Sequence, residues 1–110
     1  MIQTITLSEI REREARGDRL AVAEVLPLAH YASGHIPGAV HLPLDGFDAA
    51  AARALPDRDA EVVVYCSGPT CRNSHVASEK LAAIGYRSVR VFAGGKAEWR
   101  DAGLPLEGAR

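Results

Sequence analysis

The stretch that decides the fold is Val62-Val63-Val64-Tyr65-Cys66-Ser67-Gly68-Pro69-Thr70-Cys71-Arg72-Asn73-Ser74-His75. It opens with an apolar, β-branched run, which is typical of a strand buried inside a sheet. The run ends at Cys66, where a short loop containing glycine and proline begins. A helical pattern follows from Asn73 to Ile84. The sequence therefore predicts a strand, a loop and a helix, with Cys66 at the carboxyl end of the strand.

A cysteine in this position faces the amino end of the following helix. Unpaired backbone N–H groups and the positive end of the helix dipole converge there, and both favour a negative charge. We expect this field to lower the pKa of Cys66 from ~8.5 to ~6, which favours the thiolate over the thiol by about 3.4 kcal/mol. Because the thiolate is the reactive form, Cys66 is the candidate nucleophile.

The rest of the chain alternates short apolar runs with helical patterns. The predicted strands lie around Ile5 and at Leu20–Val25, Ala39–Leu42, Val62–Tyr65 and Val89–Phe92. The predicted helices run from a Ser8 cap to Arg16, over Leu28–Ala32, Phe47–Leu55 and Asn73–Ile84, and around Trp99. Strands that alternate with helices predict an α/β fold, in which helices cover both faces of a parallel sheet. In the helix after the cysteine loop, the predicted buried stripe is Val76, Ala77, Leu81 and Ile84.

Length and charge limit the class of protein. The 110 residues fit one domain over residues 1–110, with a net charge of -1 and a pI of about 6.4. This balance, with scattered basic residues, favours neither a nucleic acid nor a membrane surface as partner. We see neither a secretory leader nor an apolar run near the ~18 residues of a membrane span. We therefore expect a cytoplasmic location.

The cysteines and histidines argue against a disulfide framework and a metal site. Two cysteines are too few for a disulfide scaffold, and in a cytoplasmic setting they are expected to be reduced. None of the four histidines pairs with them at a known zinc spacing. We expect no metal and no cofactor.

Three phrases, in this order, resemble the single-domain rhodaneses. They are Tyr31-Ala32-Ser33-Gly34-His35-Ile36-Pro37-Gly38-Ala39 with Pro43 after it, Val63-Val64-Tyr65-Cys66, and Val91-Phe92-Ala93-Gly94-Gly95-Lys96-Ala97-Glu98-Trp99 with Ala102-Gly103-Leu104-Pro105 after it. The resemblance implies a central, mainly parallel five-stranded sheet with helices on both faces. It also implies a sulfurtransferase, in which Cys66 takes a sulfane sulfur as a persulfide. The donor is then a small sulfur-containing anion such as thiosulfate, and the acceptor is cyanide, a small thiol or a protein thiol.

The same resemblance assigns the loop from Ser67 to Asn73 to binding of the transferred group through its backbone amides. Within the loop, Ser67 and Thr70 carry hydroxyls that can donate to an anion, and the Arg72 fork suits its oxygens. Gly68 and Pro69 are expected to shape the loop. Cys71 is either a thiol that resolves a persulfide or a packing residue.

Two departures from the family pattern leave functions other than sulfur transfer open. Many rhodaneses carry Asp-Val-Arg at the end of the second strand, where this chain has Glu24-Val25-Leu26. The loss of that arginine favours a non-catalytic module of the same fold, which binds or senses partners. The loop has Arg72 six residues after Cys66, the Cys-x5-Arg spacing of rhodanese-fold phosphatases and arsenate reductases. An alignment on Ser74 instead puts Asn73 at the usual arginine position.

Overall fold

The computed structural model describes residues 2–108. Its strands are β1 Gln3–Thr4, β2 Ala21–Glu24, β3 Val40–His41, β4 Glu61–Tyr65 and β5 Ser88–Val91. Its helices are α1 Leu7–Ala15, α2 Leu28–Ser33, α3 Phe47–Ala54, α4 Asn73–Ala83 and α5 Gly95–Asp101. No helix within residues 2–108 is long and apolar enough to cross a membrane.

The strands form one five-stranded sheet in the order β1-β5-β4-β2-β3. Every pair of neighbouring strands is parallel, so the predicted α/β fold with a parallel sheet is confirmed. β4 lies in the centre, between β5 and β2. The residue that follows β4 is therefore surrounded by the carboxyl ends of its neighbours, where ligands of such sheets commonly bind.

Alternate side chains of β4 enter two separate cores, one on each face of the sheet. Val62 and Val64 pack with buried residues of α3 and α4, whereas Val63 and Tyr65 pack with Ile10 of α1 and Trp99 of α5. Because both faces of β4 are buried, its sequence is a continuous apolar run rather than an alternating one. Helices therefore cover both faces of the sheet, as predicted.

Two local predictions are wrong. Helix α1 is capped by Thr6 and not by Ser8, because the Thr6 hydroxyl accepts a hydrogen bond from the Glu9 N–H at 3.1 Å. In α4, Val76 is 38% exposed, whereas Ser74 and Ser78 are buried beside Ala77 and Leu81. The buried face of α4 thus follows a spacing of three to four residues that begins at Ser74, and Val76 lies to one side of it.

Candidate active site

Cys66 follows the last residue of the central strand, and the amino end of α5 holds its backbone in place. The Cys66 carbonyl accepts a hydrogen bond from Lys96 N at 2.9 Å, and the Ser67 carbonyl accepts one from Ala97 N at 2.9 Å. These bonds fix the direction in which the chain leaves β4. The side chain of Cys66 lies inside the protein, with 1% of the residue exposed.

Gly95 allows α5 to approach this backbone closely. Its φ of +62° is left-handed, and a Cβ there would lie 2.5 Å from the Cys66 carbonyl oxygen and 2.9 Å from Gly68 N. Both distances are shorter than real Cβ contacts, so any larger residue would push α5 away from the loop. Gly95, the second glycine of the Gly94-Gly95 pair, is therefore needed for α5 to pack against the loop.

The amino end of α4 points at the thiols of the loop. Among residues 2–108, no side chain caps this helix by a hydrogen bond, so its first N–H groups are free for other acceptors. The Ser74 N–H is directed at the Cys66 sulfur, and the Ser74 hydroxyl lies 3.5 Å from it. The Cys66 thiol also donates a hydrogen bond to the Cys71 carbonyl at 3.3 Å.

The predicted low pKa of Cys66 is wrong in this structure. Burial raises the pKa of the Cys66 thiol, and its hydrogen bond with the Cys71 side chain raises it further, while the Ser74 hydroxyl and N–H lower it. The net direction is upward, because one backbone amide and one hydroxyl do not offset the loss of water around the sulfur. Cys66 is therefore held as a neutral thiol that uses a carbonyl as its acceptor.

Two of the loop amides that were expected to act on Cys66, those of Ser67 and Asn73, instead lower the pKa of Cys71. Burial acts to raise the pKa of the Cys71 thiol, but hydrogen bonds from Cys66, from the N–H groups of Asn73 and Ser67 and from the Ser67 hydroxyl lower it overall. Cys71 is half-buried, and both cysteines are free thiols. The loop thus contains two interacting thiols, of which Cys71 carries the negative charge more readily.

The remaining predicted site residues form the rest of the loop. Ser67, Pro69, Thr70 and Arg72 are exposed, while Gly68 is buried against Ala97 of α5. The Arg72 side chain forms no ion pair with any residue in the described part of the chain. The Asn73 side chain is half-buried and donates to the Val25 carbonyl at 3.2 Å. Asn73 thereby ties the start of α4 to the end of β2.

A groove beside the loop gives access to Asn73. It has a volume of about 590 Å³ and is lined mainly by apolar side chains from the segments after β2 and β3. Its lining consists of Leu26, Pro27, Leu28, His41, Pro43, Leu44, Asp45 and Asn73. Leu26 thus lines this groove at the position where many rhodaneses have an arginine.

A buried charged network behind the loop was missed by sequence reasoning. Glu24 is completely buried and accepts hydrogen bonds from the Tyr65 hydroxyl at 2.7 Å and from Lys96 Nζ at 3.1 Å. Lys96 Nζ also donates to the His30 carbonyl at 2.9 Å. In the sequence, Glu24 stood out only as part of Glu24-Val25-Leu26, the departure from the Asp-Val-Arg of many rhodaneses. Nothing local identified Lys96 as its partner, which lies 72 residues away along the chain.

The described residues contain no cluster of metal ligands. Within residues 2–108, no three His, Cys, Asp or Glu side chains are grouped so that they can hold a metal ion.

The sequence and the fold match those of known proteins. The family model for the rhodanese-like domain matches residues 6–102 of this chain. A solved structure, the rhodanese-like domain of the Alr3790 protein from Anabaena sp., superposes with a TM-score of 0.84 at 26% identity and covers 98% of this chain and 80% of that one.

Two curated proteins with different names match most of this chain. An HTH-type transcriptional regulator from Mycobacterium tuberculosis is 37% identical over 103 residues, which cover 94% of this chain and 44% of the regulator. A sulfurtransferase from Allochromatium vinosum is 29% identical over 106 residues, which cover 96% of this chain and 95% of that protein. The chain thus spans less than half of the regulator and nearly all of the sulfurtransferase.

Proposed function

The chain belongs to the rhodanese-like domain family, and from this premise we propose that it is a sulfurtransferase. In this proposal Cys66 takes a sulfane sulfur from a small anion such as thiosulfate and passes it to cyanide or to a thiol. The match to a sulfurtransferase along almost the full length of both chains supports this activity. The resemblance to rhodaneses suggests the donor and the acceptor, and the position of Cys66 after the central strand supports it as the catalytic residue.

The observation that carries the proposal is the position of the Cys66 sulfur. It lies after the central strand, where the Ser74 hydroxyl is 3.5 Å away and the Ser74 N–H at the start of α4 is directed at it. Both groups stabilise negative charge on a sulfur at this point. A persulfide is such an anion, and it extends from Cys66 toward the helix amino end.

The reaction begins when the Cys66 thiolate attacks the outer sulfur of thiosulfate. The bond between the two donor sulfurs breaks, its electron pair leaves with sulfite, and the outer sulfur stays on Cys66 as a persulfide. The Cys66 thiol gives up its proton to the thiolate form of Cys71, whose pKa is lowered and whose carbonyl oxygen lies 3.3 Å from the Cys66 sulfur. Cyanide then attacks the outer sulfur and leaves as thiocyanate, which returns the Cys66 thiolate.

The experiment that tests this function is the formation of thiocyanate from thiosulfate and cyanide. We expect turnover by the wild type and none above background by Cys66→Ser. Val76→Ala is a suitable control, because Val76 is 38% exposed on α4 and lies off the buried face of that helix. Thiocyanate formation that persists unchanged in Cys66→Ser, or that is absent from the wild type, contradicts the proposal.

A second candidate is a non-catalytic module that binds or senses a partner. The raised pKa of Cys66 favours it, as does the apolar Leu26 that lines the groove in place of an arginine. This candidate predicts no thiocyanate from the wild type and no sulfur on Cys66 after exposure to thiosulfate. The same assay therefore separates the two functions.

A further inference from the structure

We propose that Cys71 is the second catalytic thiol of the loop, which attacks the Cys66 persulfide and releases the transferred sulfur as hydrosulfide. This inference rests on the proposed function, because it needs a persulfide on Cys66. It adds a reductive branch to the reaction: the domain converts sulfane sulfur to hydrosulfide, and a dithiol completes the cycle.

Cys66 and Cys71 are in contact across the loop. The Cys66 sulfur lies 3.3 Å from the Cys71 carbonyl oxygen. The Cys71 N–H donates to the Gly68 carbonyl at 3.1 Å, which folds the loop back so that residue 71 returns to the end of β4. Cys71 is thus already beside the sulfur that it has to attack.

The loop also favours negative charge on Cys71. Hydrogen bonds from the N–H groups of Ser67 and Asn73 and from the Ser67 hydroxyl lower the pKa of the Cys71 thiol. A thiolate is the attacking species in thiol–disulfide and thiol–persulfide exchange. A cysteine with a purely packing role does not need these donors.

Cys71 is the more accessible of the two thiols. Cys66 is 1% exposed, whereas Cys71 is half-buried and lies among the exposed residues Thr70 and Arg72. A disulfide between the two cysteines would therefore have one sulfur that an external thiol can reach. The reductant attacks at Cys71, and Cys66 leaves as the thiol that accepts the next sulfur.

The exchange balances without an added oxidant. After the first step Cys66 carries the persulfide anion and Cys71 carries the proton received from Cys66. This proton moves to the outer sulfur of the persulfide, which leaves Cys71 as a thiolate. The Cys71 thiolate attacks the inner sulfur and forms the Cys66–Cys71 disulfide. The bond to the outer sulfur breaks, and that sulfur leaves with the electron pair as hydrosulfide. The two cysteine sulfurs are oxidised, the sulfane sulfur is reduced, and an external dithiol then reduces the disulfide.

The test compares wild type, Cys71→Ser and Cys66→Ser after anaerobic reaction with thiosulfate at alkaline pH, where Cys66 ionises without a neighbouring base. For the wild type we expect the intact mass to fall by two hydrogens. We also expect one hydrosulfide to be released per chain. For Cys71→Ser we expect a mass higher by one sulfur, no hydrosulfide, and thiocyanate when cyanide is added. For Cys66→Ser we expect neither product. Wild type kept without thiosulfate controls for oxidation by air.

The outcomes separate this inference from the proposed function. If wild type and Cys71→Ser both keep the added sulfur and release no hydrosulfide, Cys71 is not a resolving thiol, while the sulfurtransferase function stands. If neither protein takes up sulfur, both proposals fail. Addition of dithiothreitol gives a further check. Wild type should then release many equivalents of hydrosulfide. Cys71→Ser, in which Cys66 is the one thiol of the loop, should release hydrosulfide much more slowly.

Discussion

The ion pair between Glu24 and Lys96 gives the most quantitative test of how the site is held together. The substitution Lys96→Met removes the ammonium that bonds the Glu24 carboxylate at 3.1 Å, while it keeps most of the side-chain volume. Glu24 is fully buried, so its charge cannot turn to water, and the Tyr65 hydroxyl is the partner that remains. The substitution therefore leaves an uncompensated charge inside the protein.

The expected loss follows from that burial. Removal of one partner from a buried pair costs about 3–5 kcal/mol. The Lys96 side chain is 10% exposed, so part of its charge is already hydrated, and we expect about 3 kcal/mol. This is a large part of the roughly 5–15 kcal/mol that stabilises a domain. The substitution keeps the backbone N–H of residue 96, which bonds the Cys66 carbonyl, so thiocyanate formation should fall only to the extent that folded protein is lost.

Urea unfolding of wild type, Lys96→Met and the Glu24→Gln, Lys96→Met double variant measures the loss. A change of about 3 kcal/mol lowers the urea midpoint by roughly 1–3 M. The double variant should recover most of it, because no charge is then left without a partner. A loss below about 1 kcal/mol in Lys96→Met, or a double variant that is less stable than the single one, would refute the reasoning.

The order of alkylation and the contact at Gly95 give two further predictions. Iodoacetamide should modify Cys71 before Cys66 and at lower pH, because the pKa of Cys71 is lowered and that of Cys66 is raised. Peptide mapping across a pH series measures this order. Faster modification of Cys66 than of Cys71 would contradict the prediction. Gly95→Ala should destabilise the domain by more than about 2 kcal/mol and abolish thiocyanate formation, because it combines a left-handed φ with a contact of 2.5 Å to the Cys66 carbonyl. Gly103→Ala is the matched control, because its φ is also left-handed, at +80°, but no atom of the described chain lies within 4 Å of the added Cβ. Its free energy of unfolding should fall by about 1 kcal/mol, and thiocyanate formation should be kept. Equal losses in the two alanine variants, measured by urea unfolding and by the thiocyanate assay, would exclude the contact as the cause.

The sheet was predictable from the sequence because its strands are distinct apolar runs. The β-branched run that ends at Tyr65 is buried on both faces, so its composition alone identifies a central strand. Helix ends were less well predicted. Thr6 and Ser8 are both good caps, and which of them begins the helix depends on backbone geometry that composition does not encode.

The position of Cys66 was predictable, but its electrostatic environment was not. The turn at the end of a strand and the start of α4 follow from local patterns. Which sulfur the amides of Ser67 and Asn73 point at depends on how the loop folds back through the Gly68 carbonyl. That path is set by many backbone dihedrals, and no short motif specifies it. The link from Glu24 to Lys96 was hidden for another reason, since it joins segments that meet only in the finished sheet.

The most direct test of the account is to locate the sulfur after thiosulfate reacts with Cys71→Ser. Persulfides are trapped with iodoacetamide at the end of the reaction, and the peptides are mapped by mass spectrometry. We expect one added sulfur on the peptide that contains Cys66, and its loss when cyanide is added. Sulfur found on another residue, or an unmodified Cys66 thiol in a folded protein, would contradict the claim that Cys66 carries the transferred atom.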